Sequence, residues 1–235
     1  MMFFDFQYLI WIAPALLLAF WAQMRVRSTY AKASQVSARL SGAAAARHIL
    51  DAAGLQHVGI EPIAGELTDH YDPRDKVLRL SQGVFGSNSA AAVGIAAHEA
   101  GHALQDAKQY APLVIRNMAV PLANFGSGLG MLLLFAGIAL TYTQMAQYSA
   151  PLILAGIVGF GCVAAFQLIN LPVEFDASNR AKQLLVTHGI VGNQDMVYVN
   201  KVLNAAAWTY VAATLQSVLT LMYYVMMFTG GSRDE

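Results

Sequence analysis

Ser87-Asn88-Ser89-Ala90-Ala91-Ala92-Val93-Gly94-Ile95-Ala96-Ala97-His98-Glu99-Ala100-Gly101-His102 is the stretch around which the rest of the chain organises. Its first three residues can cap a helix, and the alanine-rich run behind them is a strong helix former. The spacing predicts that His98 and His102 stand one turn apart on one helical face, with Cβ atoms about 5–6 Å apart. Two imidazoles placed this way can both reach a tetrahedral Zn²⁺ at about 2.0–2.1 Å. Glu99 projects about 100° around the helix from His98. That puts it beside such a metal without binding it, where a general base belongs. With six histidines and five glutamates in 235 residues, an HExxH pattern arises by chance in roughly three chains per thousand of this composition. The competing reading is an alanine-rich core helix with two hydrogen-bonded histidines, and the rarity of buried, unpartnered Glu counts against it. The pattern implies a zinc hydrolase.

Composition places that helix in a membrane protein. Mean hydropathy is +0.47, with 57% hydrophobic and 12% charged residues, whereas about a quarter of an ordinary soluble chain is charged. Fourteen acidic and fourteen basic residues leave no net charge, so nothing points to nucleic acid as a partner. Cys162 is the sole cysteine and sits in an apolar run, which excludes an intrachain disulfide and reads as packing.

Four apolar segments reach the roughly 20 residues needed to span a bilayer: Phe4 to Met24, Met118 to Tyr142, Ala150 to Ile169 and Ala206 to Phe228. The first has no basic residue ahead of it, no small-residue cleavage site behind it, and Arg25 and Arg27 directly beyond. It reads as a retained anchor rather than a signal peptide. Ten of the 14 Lys and Arg lie between the first and second segments and three between the third and fourth. By the positive-inside rule both regions face the cytoplasm and both termini face outward. The expected organisation is therefore a transmembrane helix in 1–24, a cytoplasmic region carrying the HExxH helix in 25–117, transmembrane helices in 118–142 and 150–170, a cytoplasmic helical region in 171–205, and a last transmembrane helix in 206–228. Glycines 126, 128 and 130 in the second span and 156, 159 and 161 in the third read as close helix contact in lipid.

A catalytic zinc requires a third protein ligand and an open position. Ten carboxylates away from the motif and four further histidines share its expected side. Glu174 stands out among them, because Pro172 should start or kink a helix there that carries Glu174, Ser178 and Ala181 on one face. The alternative for Glu174 is a solvated, interfacial carboxylate beside basic residues.

His98-Glu99-Ala100-Gly101-His102-Ala103-Leu104-Gln105, Asp69-His70-Tyr71-Asp72-Pro73-Arg74 upstream and Leu171-Pro172-Val173-Glu174-Phe175-Asp176-Ala177-Ser178 downstream together resemble the YugP-like family of neutral zinc metallopeptidases of prokaryotic membranes. The resemblance covers nearly the whole chain. It implies a mainly α membrane protein of four transmembrane helices with a small α+β, gluzincin-like cytoplasmic catalytic region. It further implies that His98, His102 and Glu174 bind zinc, with Glu99 as base. A more distant similarity is to membrane peptidases with E-x-x-x-D after HExxH. Here Ser178 stands where that Asp would be, so Ser178, Asp176 or a backbone carbonyl must orient the imidazoles.

The expected reaction is peptide-bond hydrolysis at a zinc-activated water, on peptides or membrane proteins near the bilayer. A developing oxyanion needs a donor besides the metal, and His70, His188, Arg180, Tyr198 and Tyr210 are the candidates. Glu66 to Leu80 reads as two short strands around Asp72-Pro73-Arg74-Asp75, whose edge could hold an extended peptide or could simply cover the motif helix. Ser41 to Ala53, ending at Gly54, reads as a helix with cap and stop signals. Gly inside a helix costs about 0.5–1 kcal/mol relative to Ala, so Gly101 predicts the close approach of another element, the Glu174 helix being the candidate. Two other readings compete. An intramembrane metalloprotease would be expected to carry an Asp ligand in a later span, and the three later spans contain neither Asp nor Glu. A non-catalytic zinc-binding scaffold or sensor would have no use for Glu99.

Overall fold

The structure, a computed structural model, describes residues 6–231. Residues 1–5 of the expected first span, both termini and Arg233 lie outside the described residues. The elements in chain order are α1 (Phe6–Ala33), α2 (Gly42–Ala52), β1 (Gly59–Ile63), β2 (His70–Asp72), β3 (Val77–Ser81), α3 (Gln82–Phe85), α4 (Ala90–Ala107), α5 (Ala111–Leu140), α6 (Ser149–Thr187) and α7 (Met196–Gly231). The protein is mainly helical, with one small mixed sheet, and α1, α5, α6 and α7 are long and apolar enough to cross a membrane. Each of the four apolar segments falls in one of these helices, although α5 stops at Leu140, just short of the expected Tyr142. Of the two roles expected of Pro172, opening a helix is not found, because Pro172 lies inside one continuous helix, α6. Proline inside a helix withdraws one N–H from the ladder and crowds the carbonyl four residues back.

The contacts divide the chain into two units. Among the described residues the first comprises 6–20, 115–171 and 210–231. Within it, small residues let α5 and α6 meet backbone to backbone: a Cβ on Gly156 would stand 2.8 Å from the Gly130 carbonyl oxygen. This is close helix packing of the kind lipid favours, where van der Waals contact replaces the hydrophobic effect. Leu134, Ile153, Ile157 and Tyr224 form the buried cluster of this unit. Trp11 donates its Nε1–H to the Leu219 carbonyl at 2.8 Å, giving a half-buried indole a partner.

The second unit comprises residues 21–114 and 172–209. Ser41 caps α2 by accepting the Ala44 N–H at 3.2 Å, and Gly54, at φ +75°, ends it; glycine adopts that left-handed backbone without a Cβ penalty. Arg47 reaches from α2 to the carbonyls of Val58 and Leu55 at 2.7 and 3.0 Å, pinning the approach to β1. The sheet order is β1-β3-β2, β3 pairing parallel with β1 and antiparallel with β2. The hairpin in 66–80 is present, and β1 is an additional strand. Gly59, Glu61 and Pro62 are weak strand formers, and β1 exists because β3 offers it a partner. Pro62 is tolerated because β1 is an edge strand.

Helix α4 lies against α2, α3, β2 and β3. Ser89 caps it by accepting the Ala92 N–H at 3.2 Å. Its alanines at 90, 92, 96, 97, 100 and 103 are all buried in a core shared with Ile49, Leu50, Leu80, Leu185 and Val199, and Ala91 is buried against Ala33 and Val202. Over residues 90–97 this helix is apolar all round and must be enclosed, and alanine permits this by adding little width.

Candidate metal centre

The site is built from two helical stretches of the second unit, the end of α4 and the segment of α6 that follows Pro172. They can approach closely because residue 101 is glycine. A Cβ on Gly101 would stand 2.8 Å from the Ala177 carbonyl oxygen and 3.3 Å from the Ala177 Cα. The close approach expected at Gly101 is therefore found, with the α6 backbone as its neighbour.

Across this contact three side chains converge. His98 Nε2 lies 3.2 Å and His102 Nε2 lies 3.6 Å from one oxygen, Glu174 Oε2. The two imidazoles stand edge to face, with centroids 4.7 Å apart. The side chains of His98, His102 and Glu174 retain only 13%, 10% and 7% of their exposure. Four-coordinate zinc with bonds of about 2.0–2.1 Å places neighbouring ligand atoms about 3.3–3.4 Å apart, and the observed separations bracket that value. Two nitrogen donors and one carboxylate are the ligand set of an open zinc site. The residues fit the metal.

Each imidazole is held from behind. His98 Nδ1 lies 3.1 Å from Ser178 Oγ, so the hydroxyl stands behind this imidazole as an orienting partner. His102 donates its Nδ1–H to Gln105 Oε1 at 2.9 Å. Gln105 is fully buried, and its Nε2 donates to the Val173 carbonyl and to Asp176 Oδ2, each at 2.8 Å. Asp176 also accepts from Arg180 Nε at 2.5 Å. Glu99 is buried, and among the described residues its carboxylate has no hydrogen-bond partner. Burial opposes a charged His102. The Glu174 carboxylate beside it, with Glu99 and Gln105 behind, outweighs burial and raises the His102 pKa above the ordinary histidine value. The carboxylate that draws a proton onto His102 would also attract a divalent cation.

The sheet is tied to the same helix. Tyr71 on β2 donates its hydroxyl to Asp106 Oδ2 at 2.7 Å, and Lys76 pairs with that oxygen at 2.5 Å. Burial, then the Asp106 carboxylate, pushes the Tyr71 hydroxyl pKa upward. Asp69 accepts from Ser81 N–H at 2.7 Å, and burial raises its pKa despite that bond.

The remaining candidate donors scatter. His70 is exposed, with Nδ1 2.9 Å from the Thr68 carbonyl. His188 packs edge to face on His48. Tyr198 packs against the core and lies beneath Lys201. Among the described residues none of these three hydrogen-bonds to His98, His102 or Glu174. Arg180 is engaged by Asp176 and lies over the Tyr110 ring. Tyr210 belongs to the first unit. The residue that sequence reasoning passed over is Gln105. Its position three residues after His102 was the available signal, since i and i+3 share a helical face.

Comparison with known proteins gives a consistent picture. Residues 8–229 match the family described as "Putative neutral zinc metallopeptidase". The chain is also 48% identical over 223 residues to a protein of Bacillus subtilis (strain 168) named "Putative membrane protease YugP", covering 94% of this chain and 96% of that one. No solved structure matches.

Proposed function

The chain belongs to the family of putative neutral zinc metallopeptidases, and from that premise we propose that it is a membrane-anchored zinc endopeptidase working on the cytoplasmic face. In this reading His98, His102 and Glu174 hold the metal and Glu99 is the general base. The observation that carries it is the convergence of His98 Nε2, His102 Nε2 and Glu174 Oε2, with Glu99 the residue next to the first ligand on the same helix. Zinc held there supplies Lewis acidity toward a peptide carbonyl and toward water. Glu174 contributes the negative charge that keeps the cage attractive to a cation. Glu99, with no competing hydrogen bond, is available to take a proton from attacking water and return it to the leaving amine.

Topology follows from charge. The concentration of Lys and Arg in 25–117 and 171–205 supports a cytoplasmic placement of both regions, with both termini outside. The second unit, 21–114 with 172–209, supports taking those two regions together as the catalytic part. β2 lies at an edge of the sheet, where an extended peptide could add as a further strand independently of its side chains. Such binding suits peptides or exposed segments of membrane proteins close to the bilayer.

The test is metal analysis of the purified protein together with casein cleavage with and without chelator. Zinc at one equivalent and chelator-sensitive cleavage are expected. A protein that holds zinc but cleaves nothing would favour the scaffold reading, and one that holds no zinc would end both. Accessibility of tags on the two termini checks the orientation.

A further inference from the structure

The two imidazoles at the metal centre are supported in chemically different ways. Ser178 Oγ, which faces His98 Nδ1 at 3.1 Å, can donate or accept, so it accommodates either tautomer of His98. Gln105 has no such freedom. Its amide nitrogen faces two groups that only accept, the Val173 carbonyl and the Asp176 carboxylate. Turning the amide over would set its oxygen against both, on a side chain that is itself fully buried. The carbonyl end must therefore face His102 Nδ1, 2.9 Å away, and an amide oxygen can only accept. The ring hydrogen is thereby confined to Nδ1, and the Nε2 lone pair is left pointing toward Glu174.

We propose that Gln105 is a positioning residue, an amide relay that sets the tautomer and orientation of His102 and links it to the Asp176–Arg180 ion pair. This rests on the reading of His98, His102 and Glu174 as metal ligands. The relay places a neutral acceptor behind the ring where many zinc sites use a carboxylate. The acidic group stands one residue further back, with Arg180 bound to the same oxygen. The Nδ1 side of His102 is thus oriented by a neutral amide, with no carboxylate as its direct partner. The polarity of the relay is set by α6 at both of its acceptors, so α6 supplies one ligand, Glu174, and also fixes the proton of another.

Two measurements test this on the full-length protein in detergent. The first is zinc affinity by chelator competition in wild type and in Gln105→Met, which keeps the shape and removes every hydrogen bond. Loss of an orienting partner typically weakens metal binding ten- to hundredfold, and a loss in that range is expected. A residue that merely joins α4 to α6 would lower the melting temperature and leave the zinc affinity of the folded protein within about twofold of wild type, which overturns the proposal. The second needs no variant at that position and decides the matter if Gln105→Met does not fold. In metal-free wild type labelled with ¹⁵N-histidine, at a pH where His102 is neutral and with His102 assigned by its loss in His102→Gln, the ring hydrogen should reside on Nδ1. A hydrogen on Nε2 overturns the proposal. Failure of the underlying reading looks different, because wild type itself then binds no zinc and both inferences fall together.

Discussion

Gly101 on α4 and Ala177 on α6 meet so closely that a single added carbon on residue 101 would press on the Ala177 carbonyl oxygen, 2.8 Å away. Two imidazoles and a carboxylate from the same pair of helices face one another across this contact. The obstacle is backbone, which cannot turn aside as a flexible side chain would.

Gly101→Ala should therefore separate the helices. Overpacking of this kind costs about 1–3 kcal/mol, so a lower melting temperature is expected together with weaker zinc binding. Gly101→Leu should lose the metal altogether. Thermal unfolding and metal content of the two variants check this, and a Leu variant that keeps full zinc and activity would show that the contact does not set the site.

Glu99→Gln should retain zinc at the wild-type level and lose peptide hydrolysis by about 10²–10⁴-fold, the range of a general base. Metal analysis and casein cleavage on the same preparation separate the two properties. Loss of zinc in this variant would mean that Glu99 is a ligand.

Glu174→Ala leaves two imidazoles without the third donor that zinc requires. Zinc should be lost to modest chelator concentrations, and the rise in melting temperature that added zinc confers on wild type, a linkage effect, should vanish. A zinc-dependent rise that persists would place the third ligand elsewhere.

Acid sensitivity should track Asp72. The Arg79 guanidinium and then the Arg74 N–H, at 2.9 Å, hold its carboxyl below the usual carboxylate range. A depressed folded value means that the stabilisation is present above the unfolded value, near about 3.9, and is lost as pH falls through the folded one. In metal-free protein Asp72→Asn should melt lower than wild type at neutral pH, and the difference should close below about pH 4. Melting curves across that range check it, and a constant difference would remove Asp72 from the acid transition.

Close helix contact in the first unit gives a prediction of its own. A Cβ on Gly156 would meet the Gly130 carbonyl oxygen and the Leu134 N, each at 2.8 Å. Gly156→Leu should lower the melting temperature sharply, and metal retention measured at a temperature where the variant remains folded should match wild type.

How much of this was legible in the chain depends on distance along it. The helix over 90–107, its Ser89 cap, the one-turn spacing of His98 and His102, the α2 stop at Gly54 and the four apolar segments are local matters, governed by propensity, periodicity and the absence of charge. Each needs no knowledge of what lies elsewhere. Glu174 stands 76 residues from His98, and its role could be suspected only from its place after an apolar segment and from resemblance. Spacing could place Gln105 on the His102 face of the helix, but neither its partners nor β1 could be reached that way. A glutamine on a helix acquires meaning only when particular acceptors surround it, here Val173 and Asp176 on another helix. A weak strand forms only when another strand completes its hydrogen bonds. Local chemistry chose the elements, while packing chose their partners, because the energy of a shared site or a paired edge exists only once distant segments touch.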